Sequence, residues 1–263
     1  MLSRLTRSQA VAVCALPVVA LAATAVFAPL PFSVAQPGLT ANVLGEHKGE
    51  PVITVSGAPT RDTSGQLRMT TIEATSPDAH VSLGDVVDSW FRTDRAVMPR
   101  DSVYPSGDDV KEIEQHNEEQ MKESQDAAAR AALNYLDLSD QDVRVTLELA
   151  DVGGPSAGLL FSLGIIDKLD GDGSGGDLTG GRTVAGTGTI SADGRVGAVG
   201  GVGLKTQAAR RDGATVFLVP RAECSDAEAE LPKGLRLVPV TTLKGAISAL
   251  KALKSGKGEV PGC

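Results

Sequence analysis

A serine at the start of a predicted helix is the first residue of this chain whose setting fits a chemical role. Ser156 follows two glycines and a proline in DVGGPSAGLLF, just before a run of apolar residues. Glycine lets a ligand backbone come close, and a helix start presents free N–H groups to a developing negative charge. The setting therefore fits a nucleophilic hydroxyl beside an oxyanion hole. The alternative is a serine that only caps the helix.

A lysine is the residue that would make Ser156 reactive, because a hydroxyl needs a base to become nucleophilic at neutral pH. A serine triad or a zinc site would need an imidazole, but the histidines of the chain all precede residue 141: His47, His80 and His116. Lys205 stands among valines, leucines and alanines. It fits a base if burial lowers its pKa from about 10.4 to roughly 7 or 8. The alternative is a lysine that extends along the surface into solvent.

The glycines before Lys205 suggest a phosphate-binding loop, but their spacing does not fit one. In such a loop a glycine stands immediately before the lysine, in the pattern G-x-x-x-x-G-K-[ST]. Here Leu204 separates Gly203 from Lys205, and GTGTIS lacks the third glycine of a dinucleotide fingerprint. We therefore expect neither ATP nor another cofactor, and no metal. The net charge of −8 and the aromatic content of 3% also give no reason to expect nucleic acid binding.

The segment from residue 141 onward alternates predicted strands and helices, as α/β domains do. The β-branched and alternating stretches predict strands at DVRVTLELA, TVAGTGTI, GRVGAV, ATVFLVP and LRLVPV. The turn SADG joins the second of these to the third. Helices are predicted at PSAGLLFSLGIIDKL, at residues 203–212 and at TTLKGAISALKAL. Ser156 then lies at the start of one helix and Lys205 near the start of the next.

Two other stretches precede this segment. Residues 36–105 are rich in turns and short extended stretches, and we predict that PVITVSG and LRMTTIEA pair as strands around the turn-forming GAPTRDTSGQ. Residues 106–140 include a run, from about Asp108 to Leu136, that lacks Gly and Pro and begins with acidic residues. This run predicts a long polar helix with one narrow packed stripe.

The first 35 residues differ from the rest of the chain. Arg4 and Arg7 precede an apolar run from about Ala10 to Leu30, close to the roughly 20 residues that cross a bilayer. Basic residues on this side of a span stay in the cytoplasm, so the rest of the chain is expected outside it. We expect a retained single-pass anchor. Cleavage as a signal peptide after the SVA that precedes Gln36 is the alternative.

Cys224 and Cys263 are the only cysteines after the apolar run. In an oxidising compartment they would pair and hold a C-terminal tail that has little else to bury. Such a bond would close a loop of roughly 40 residues and contribute about 4 kcal/mol to stability. Two independent thiols are the alternative.

Three motifs in register resemble the proteolytic domain of the Lon proteases: GGPSAG around Ser156, GTGTISADGRVGAVGG, and VGLK ending at Lys205. The resemblance covers about residues 141–253. It implies a Ser–Lys dyad, in which Ser156 attacks the peptide carbonyl and Lys205 takes its proton. It also implies that Thr187 orients Lys205. Backbone at Ala157 would then stabilise the oxyanion, and Gly154 would let the substrate backbone approach.

The chain is also similar to a membrane-anchored, Lon-like branch of bacteria, through DRAVMPRDSVYPSG and NEEQMKESQDAA. A PDZ domain usually precedes the protease domain in that branch, but too few residues lie between Leu138 and Val143 for such a module. The resemblance implies an α/β (α+β) fold like the second domain of ribosomal protein S5. One transmembrane helix and a small β-plus-helix region would precede it. Homo-oligomers are also implied, since Lon domains generally form hexamers.

The sequence thus predicts an ATP-independent serine endopeptidase that degrades or processes proteins and peptides at the outer face of the bacterial cell membrane. A catalytically idle Lon-like scaffold for a membrane or secreted partner is the alternative. The predicted organisation has these segments: cytoplasmic stub and anchor 1–35, membrane-proximal β-rich region 36–105, long polar helix 106–140, proteolytic domain 141–255 and C-terminal tail 256–263.

Overall fold

The computed structural model describes residues 6–104, 109–149 and 154–263. Arg4 and residues 151–153, which begin the motif around Ser156, lie outside the described residues. The chain forms two compact units. The first comprises Met1–Ala35 and Ala74–Asp108, and the second comprises Gln36–Glu73 and Asp109–Cys263.

The helices and strands are numbered in chain order. The helices are α1 (Arg7–Phe27), α2 (Leu83–Trp90), α3 (Arg100–Val103), α4 (Val110–Tyr135), α5 (Gly158–Leu169), α6 (Val202–Arg211), α7 (Cys224–Ala229) and α8 (Leu243–Ser255). The strands are β1 (Phe32–Asn42), β2 (Glu46–His47), β3 (Glu50–Pro51), β4 (Ile53–Ser56), β5 (Gln66–Ala74), β6 (Ala96–Pro99), β7 (Arg144–Leu147), β8 (Thr183–Gly186), β9 (Thr189–Ile190), β10 (Val196–Gly197), β11 (Val216–Pro220) and β12 (Arg236–Val240). Short 3-10 turns, Pro155–Ala157 and Arg221–Glu223, lead directly into α5 and α7.

The first unit contains α1 and the short elements around α2. Thr6 and Gln9 form a capping box at the start of α1, in which each side chain accepts the backbone N–H of the other residue. The stretch Arg7–Thr24 is long and apolar enough to cross a membrane, by length and composition. β6 pairs antiparallel with Phe32–Ala35 of β1. The topology of the chain across a membrane stays a prediction.

A five-stranded sheet, in the order β12-β11-β8-β5-β1, forms the centre of the second unit. β11 runs parallel to both β12 and β8, and β8 runs parallel to β5. Because successive side chains of a strand point to opposite faces, Val216 and Leu218 enter one core cluster while Phe217 and Val219 enter the other. The uninterrupted apolar run of β11 therefore reflects a strand covered on both faces.

The larger of these clusters is built around α5. Residues Gly158 to Asp167 of this helix are all buried, and both α4 and α8 pack against it. The buried residues of α4 follow a spacing of three or four as far as Ala131, as expected for one helix face, and are Met121, Ser124, Ala128, Ala131, Ala132 and Leu133. The narrow packed stripe predicted for this polar helix is thus confirmed. On the other face of the sheet, α6 and α7 contribute Val202, Ala209 and Ala227 to the smaller cluster.

The predicted α/β fold is confirmed, but one strand pairing is wrong. The stretches PVITVSG and LRMTTIEA do form β4 and β5, yet these strands do not pair with each other. β4 pairs antiparallel with β7, and β5 lies in the sheet beside β8. The loop between β4 and β5 is bonded to residues at and after the end of α5. The N–H of Arg61 donates to the carbonyl of Lys168 at 2.8 Å, and the N–H of Ser64 donates to Asp177 at 3.2 Å. Contacts with distant segments therefore outweigh a local hairpin.

Candidate active site

Ser156 is held in the 3-10 turn that leads into the buried helix α5. Pro155 begins this turn, where its missing N–H costs no hydrogen bond. Gly154 stands before it with φ +88° and ψ 161°, a conformation that residues with a side chain rarely adopt. A Cβ on Gly154 would meet no atom of the described residues within 4 Å, so these leave open space beside the backbone there. Most residues of α5 are buried, so the half-buried Ser156 lies at the start of a firmly packed helix.

Thr187 links Ser156 to Lys205. Its hydroxyl donates to the carbonyl oxygen of Ser156 at 3.2 Å and accepts from Nζ of Lys205 at 3.2 Å. The next residue, Gly188, donates its N–H to the same carbonyl oxygen at 2.9 Å. Thr187 is fully buried between β8 and β9. The structure therefore links the amine of Lys205, through the hydroxyl of Thr187, to the backbone carbonyl of Ser156.

Lys205 is a buried lysine, with 4% of its surface exposed. Burial lowers the pKa of its amine from 10.5 to about 8, and the carboxylate of Glu223 partly opposes this change. This fall in pKa means that protonation of Lys205 is about 3 kcal/mol less favourable in the folded protein than in water. A substantial share of molecules thus has a neutral amine at mildly alkaline pH.

The loop before α6 fixes where Lys205 lies. Gly201 is the N-cap residue of α6, with φ +68° in the left-handed region. A Cβ at this position would lie 2.9 Å from Cγ2 of Ile72 on β5, so a larger residue would move the start of the helix off the sheet. Val202 and Leu204 are buried beside it. Packing of α6 on the sheet therefore draws Lys205 away from solvent.

Glu223 is a residue near the site that sequence reasoning missed. It ends the 3-10 turn before α7, and its carboxylate accepts the N–H of Val199, in the loop before α6. Its Oε2 is buried without a hydrogen-bond partner among the described residues. Burial raises the pKa of Glu223, and Asp226 adds to this effect, while Lys205 opposes it. No sequence motif marks Glu223, because packing of α7 against α6 is what brings it to Lys205.

A cavity of about 300 Å³ opens beside the turn that holds Ser156. Its lining comes from α4, the turn and β9, and consists of Gln120, Glu123, Ser124, Ala127, Pro155, Thr189 and Ile190. The hydroxyl of Ser124 donates to the carbonyl of Pro155 at 3.0 Å, which fixes the turn to α4. The space is large enough for a side chain of a bound peptide.

The remaining predicted residues lie close by or at the C-terminus. Ala157 directly follows Ser156 and is buried; its role at an oxyanion stays a prediction. A disulfide joins Cys224, the first residue of α7, to Cys263, with 5.5 Å between the Cα atoms. It bridges 39 positions and attaches the end of the chain to α7. Whether this bond forms in the protein's native compartment stays a prediction.

A family model described as the Lon protease (S16) C-terminal proteolytic domain matches residues 118–251, half of the chain. The chain belongs to the Lon protease family. The matched residues run from the middle of α4 into α8. They include the turn with Ser156, the loop with Thr187, the helix with Lys205 and the turn with Glu223. A Lon proteolytic domain implies a peptidase that acts on protein substrates.

Proposed function

We propose that this Lon proteolytic domain is a serine endopeptidase with a Ser156–Lys205 dyad. One observation supports the proposal: a buried lysine, whose pKa is lowered to about 8, bonds the hydroxyl of Thr187, which in turn donates to the backbone carbonyl of Ser156. A lysine with such a pKa is a base suited to a serine hydroxyl near neutral pH. For a lysine with no chemical role, the same burial would lower the stability of the fold without a benefit, because burial disfavours the charged amine.

The proposed reaction starts from a neutral Lys205. Neutral Nζ of Lys205 takes the hydroxyl proton of Ser156 while Oγ bonds to the peptide carbonyl carbon. Backbone N–H groups at Ser156 and Ala157 stabilise the oxyanion of the tetrahedral intermediate. The lysine ammonium then gives its proton to the leaving amine, and the C–N bond breaks. Water attacks the acyl-enzyme in the same way, with Lys205 again as base, and releases the second product.

Thr187 positions the amine in this scheme. Its hydroxyl has one proton, which it donates to the carbonyl of Ser156, so it accepts a hydrogen bond from an N–H of Lys205 and does not occupy the lone pair of the amine. The lone pair of the neutral amine is then available for the hydroxyl of Ser156. No nucleotide takes part in this chemistry, and we propose that cleavage is independent of ATP.

Cleavage of an unfolded, fluorophore-labelled protein by the full chain tests the dyad. Ser156→Ala and Lys205→Arg should each abolish cleavage, since arginine keeps its proton at accessible pH. Ser248→Ala and Lys244→Arg are the matched controls, because both residues are exposed on α8, and both variants should keep full activity. Substantial cleavage by Lys205→Arg would rule out the base. A folded but inactive wild-type chain would favour the idle scaffold.

We also propose that α1 anchors the chain and that the second unit lies outside the cytoplasm. Two features support this: the apolar composition of Arg7–Thr24 and the basic residues at its N-terminal side. Protease added to intact spheroplasts should degrade the second unit and leave the N-terminal segment with the membrane. Full protection until the spheroplasts are lysed would place the peptidase inside instead.

A further inference from the structure

Helix α2 of the first unit exposes its apolar face instead of burying it. Four large apolar residues recur at the spacing of one helix face, i, i+4, i+7 and i+8: Leu83, Val87, Trp90 and Phe91. All four are exposed, with 80% of Trp90 and 84% of Phe91 accessible. The opposite side faces inward, since Ser89 is buried and Val86 is half-buried. We call these four residues the α2 apolar face.

The composition of the chain makes this face unusual. Aromatic residues are 3% of the sequence, and Trp90 is the only tryptophan. A chain with so few aromatic side chains would normally use them in its core, where their large area stabilises the fold. Placing two neighbouring aromatic residues in solvent therefore points to a surface that something else covers.

The place of α2 in the fold indicates what covers it. The N–H of Leu30, two residues beyond the C-cap Ala28 of α1, donates to the carbonyl of Val81 at 2.8 Å. Val81 directly precedes Ser82, the N-cap of α2. α2 also packs against α1 within the first unit. The start of α2 is thus attached to the end of the helix that could cross a membrane.

The charges near this face suit the surface of a bilayer without selecting its lipids. Asp88 pairs with Arg95 at 3.0 Å, and Arg92 pairs with Asp94 at 2.8 Å. These two pairs add no net charge beside the face, whereas a basic patch is what would favour anionic lipids. Tryptophan is enriched where the apolar and polar zones of a membrane meet.

We propose that the α2 apolar face lies in the interface of the membrane that α1 crosses. The proposal rests on the membrane insertion of α1, and it adds a second contact that fixes the first unit against the bilayer. It does not depend on the dyad, so loss of peptidase activity leaves it intact. The occupant is the lipid itself, in zwitterionic and anionic membranes alike.

Trp90 provides its own probe, because no other tryptophan contributes to the emission. The full chain is reconstituted in phosphatidylcholine vesicles, with and without phosphatidylglycerol, and insertion of α1 is checked by flotation and protease protection. We expect blue-shifted emission, strong quenching by lipids brominated near the headgroup end of the chains, and several-fold weaker quenching by aqueous acrylamide than in the urea-unfolded chain. Both lipid mixtures should give the same result.

Variants at Phe91 provide a matched pair. Phe91→Ser should reduce quenching by brominated lipid at least twofold, and Phe91→Leu should retain it. Far-UV circular dichroism and thermal unfolding should be unchanged in both, which shows that the fold is intact. Emission typical of exposed tryptophan with α1 inserted would overturn the proposal. Blue-shifted emission without lipid quenching would overturn it too, in favour of a second copy or another protein. Failure of α1 to insert would also refute it.

Discussion

If Lys205 is the base, the cleavage rate should follow the ionisation of one buried amine. With a pKa of about 8, about 1% of the amine is neutral at pH 6 and about half at pH 8. We therefore expect kcat/KM to rise about 50-fold between pH 6 and 8 and to level off above about pH 9. A lysine with the ordinary pKa of 10.5 would instead give a rate that still rises about tenfold between pH 8 and pH 9.

Glu223 allows this inflection to be moved without changing the dyad. Its carboxylate raises the pKa of Lys205 against the effect of burial, so Glu223→Gln should lower that pKa further. The amide can still accept the N–H of Val199. For each unit by which the pKa falls, the rate at pH 6 should rise about tenfold, while the plateau rate stays the same. Glu228→Gln is the matched control, because Glu228 is exposed on α7.

The assay uses a quenched fluorescent peptide without ionisable side chains, so that only the enzyme titrates between pH 6 and 9.5. Thermal unfolding at each pH shows that the variants stay folded. A rate that does not change between pH 6 and 8 would refute the base. An inflection at the same pH in wild type and Glu223→Gln would show that Glu223 does not act on Lys205.

Thr187→Val removes the hydroxyl that joins Lys205 to the carbonyl of Ser156 and leaves these buried groups without a partner, so kcat should fall about 10- to 100-fold with little change in KM for the same peptide. Burial raises the pKa of Asp167 to about 6 from 3.8, so Asp167→Asn should increase the free energy of unfolding at pH 7 by up to about 3 kcal/mol. Urea unfolding should show that this gain shrinks as the pH falls below 6 and disappears below about pH 3, where the carboxyl is protonated in both states. Cys263→Ser should lower stability by about 4 kcal/mol and should make thermal unfolding insensitive to reductant. A wild-type chain whose Cys224 is a free thiol by peptide mass spectrometry would contradict that last prediction.

Local pattern was sufficient to predict the elements that hold Ser156 and Lys205. α5 and α6 were predicted because apolar residues recur at helical spacing after glycine-rich turns. The buried strand β11 was predicted from an uninterrupted apolar run that ends at proline. These signals depend on residues that are neighbours in the chain, so one sequence is enough to read them. The role of Thr187, in contrast, came only from the resemblance to a family.

Features set by distant contacts could not be predicted in this way. The β-branched residues of β4 and β5 indicate strands but not partners, because β propensity reports a pleated, half-buried surface and not the strand beside it. Glu223 is a similar case. It lies 18 positions after Lys205 in the numbering, and only packing between α6 and α7 brings its carboxylate to the amine.

The burial that lowers the pKa of Lys205 also lowers the stability of the fold. Between pH 8 and 10.5 the folded state binds fewer protons than the unfolded chain, so the free energy of unfolding increases across this range. Below about pH 8 the full cost of about 3 kcal/mol is present. Apolar packing offsets this cost, because α5 contributes to the larger core cluster and α6 contributes to the smaller one. Thr187 and Glu223 are the two polar side chains shown to interact with that amine. Thr187 therefore fixes the direction of the amine, and Glu223 limits how far its pKa falls. The size of that fall sets both the fraction of neutral amine and the cost in stability.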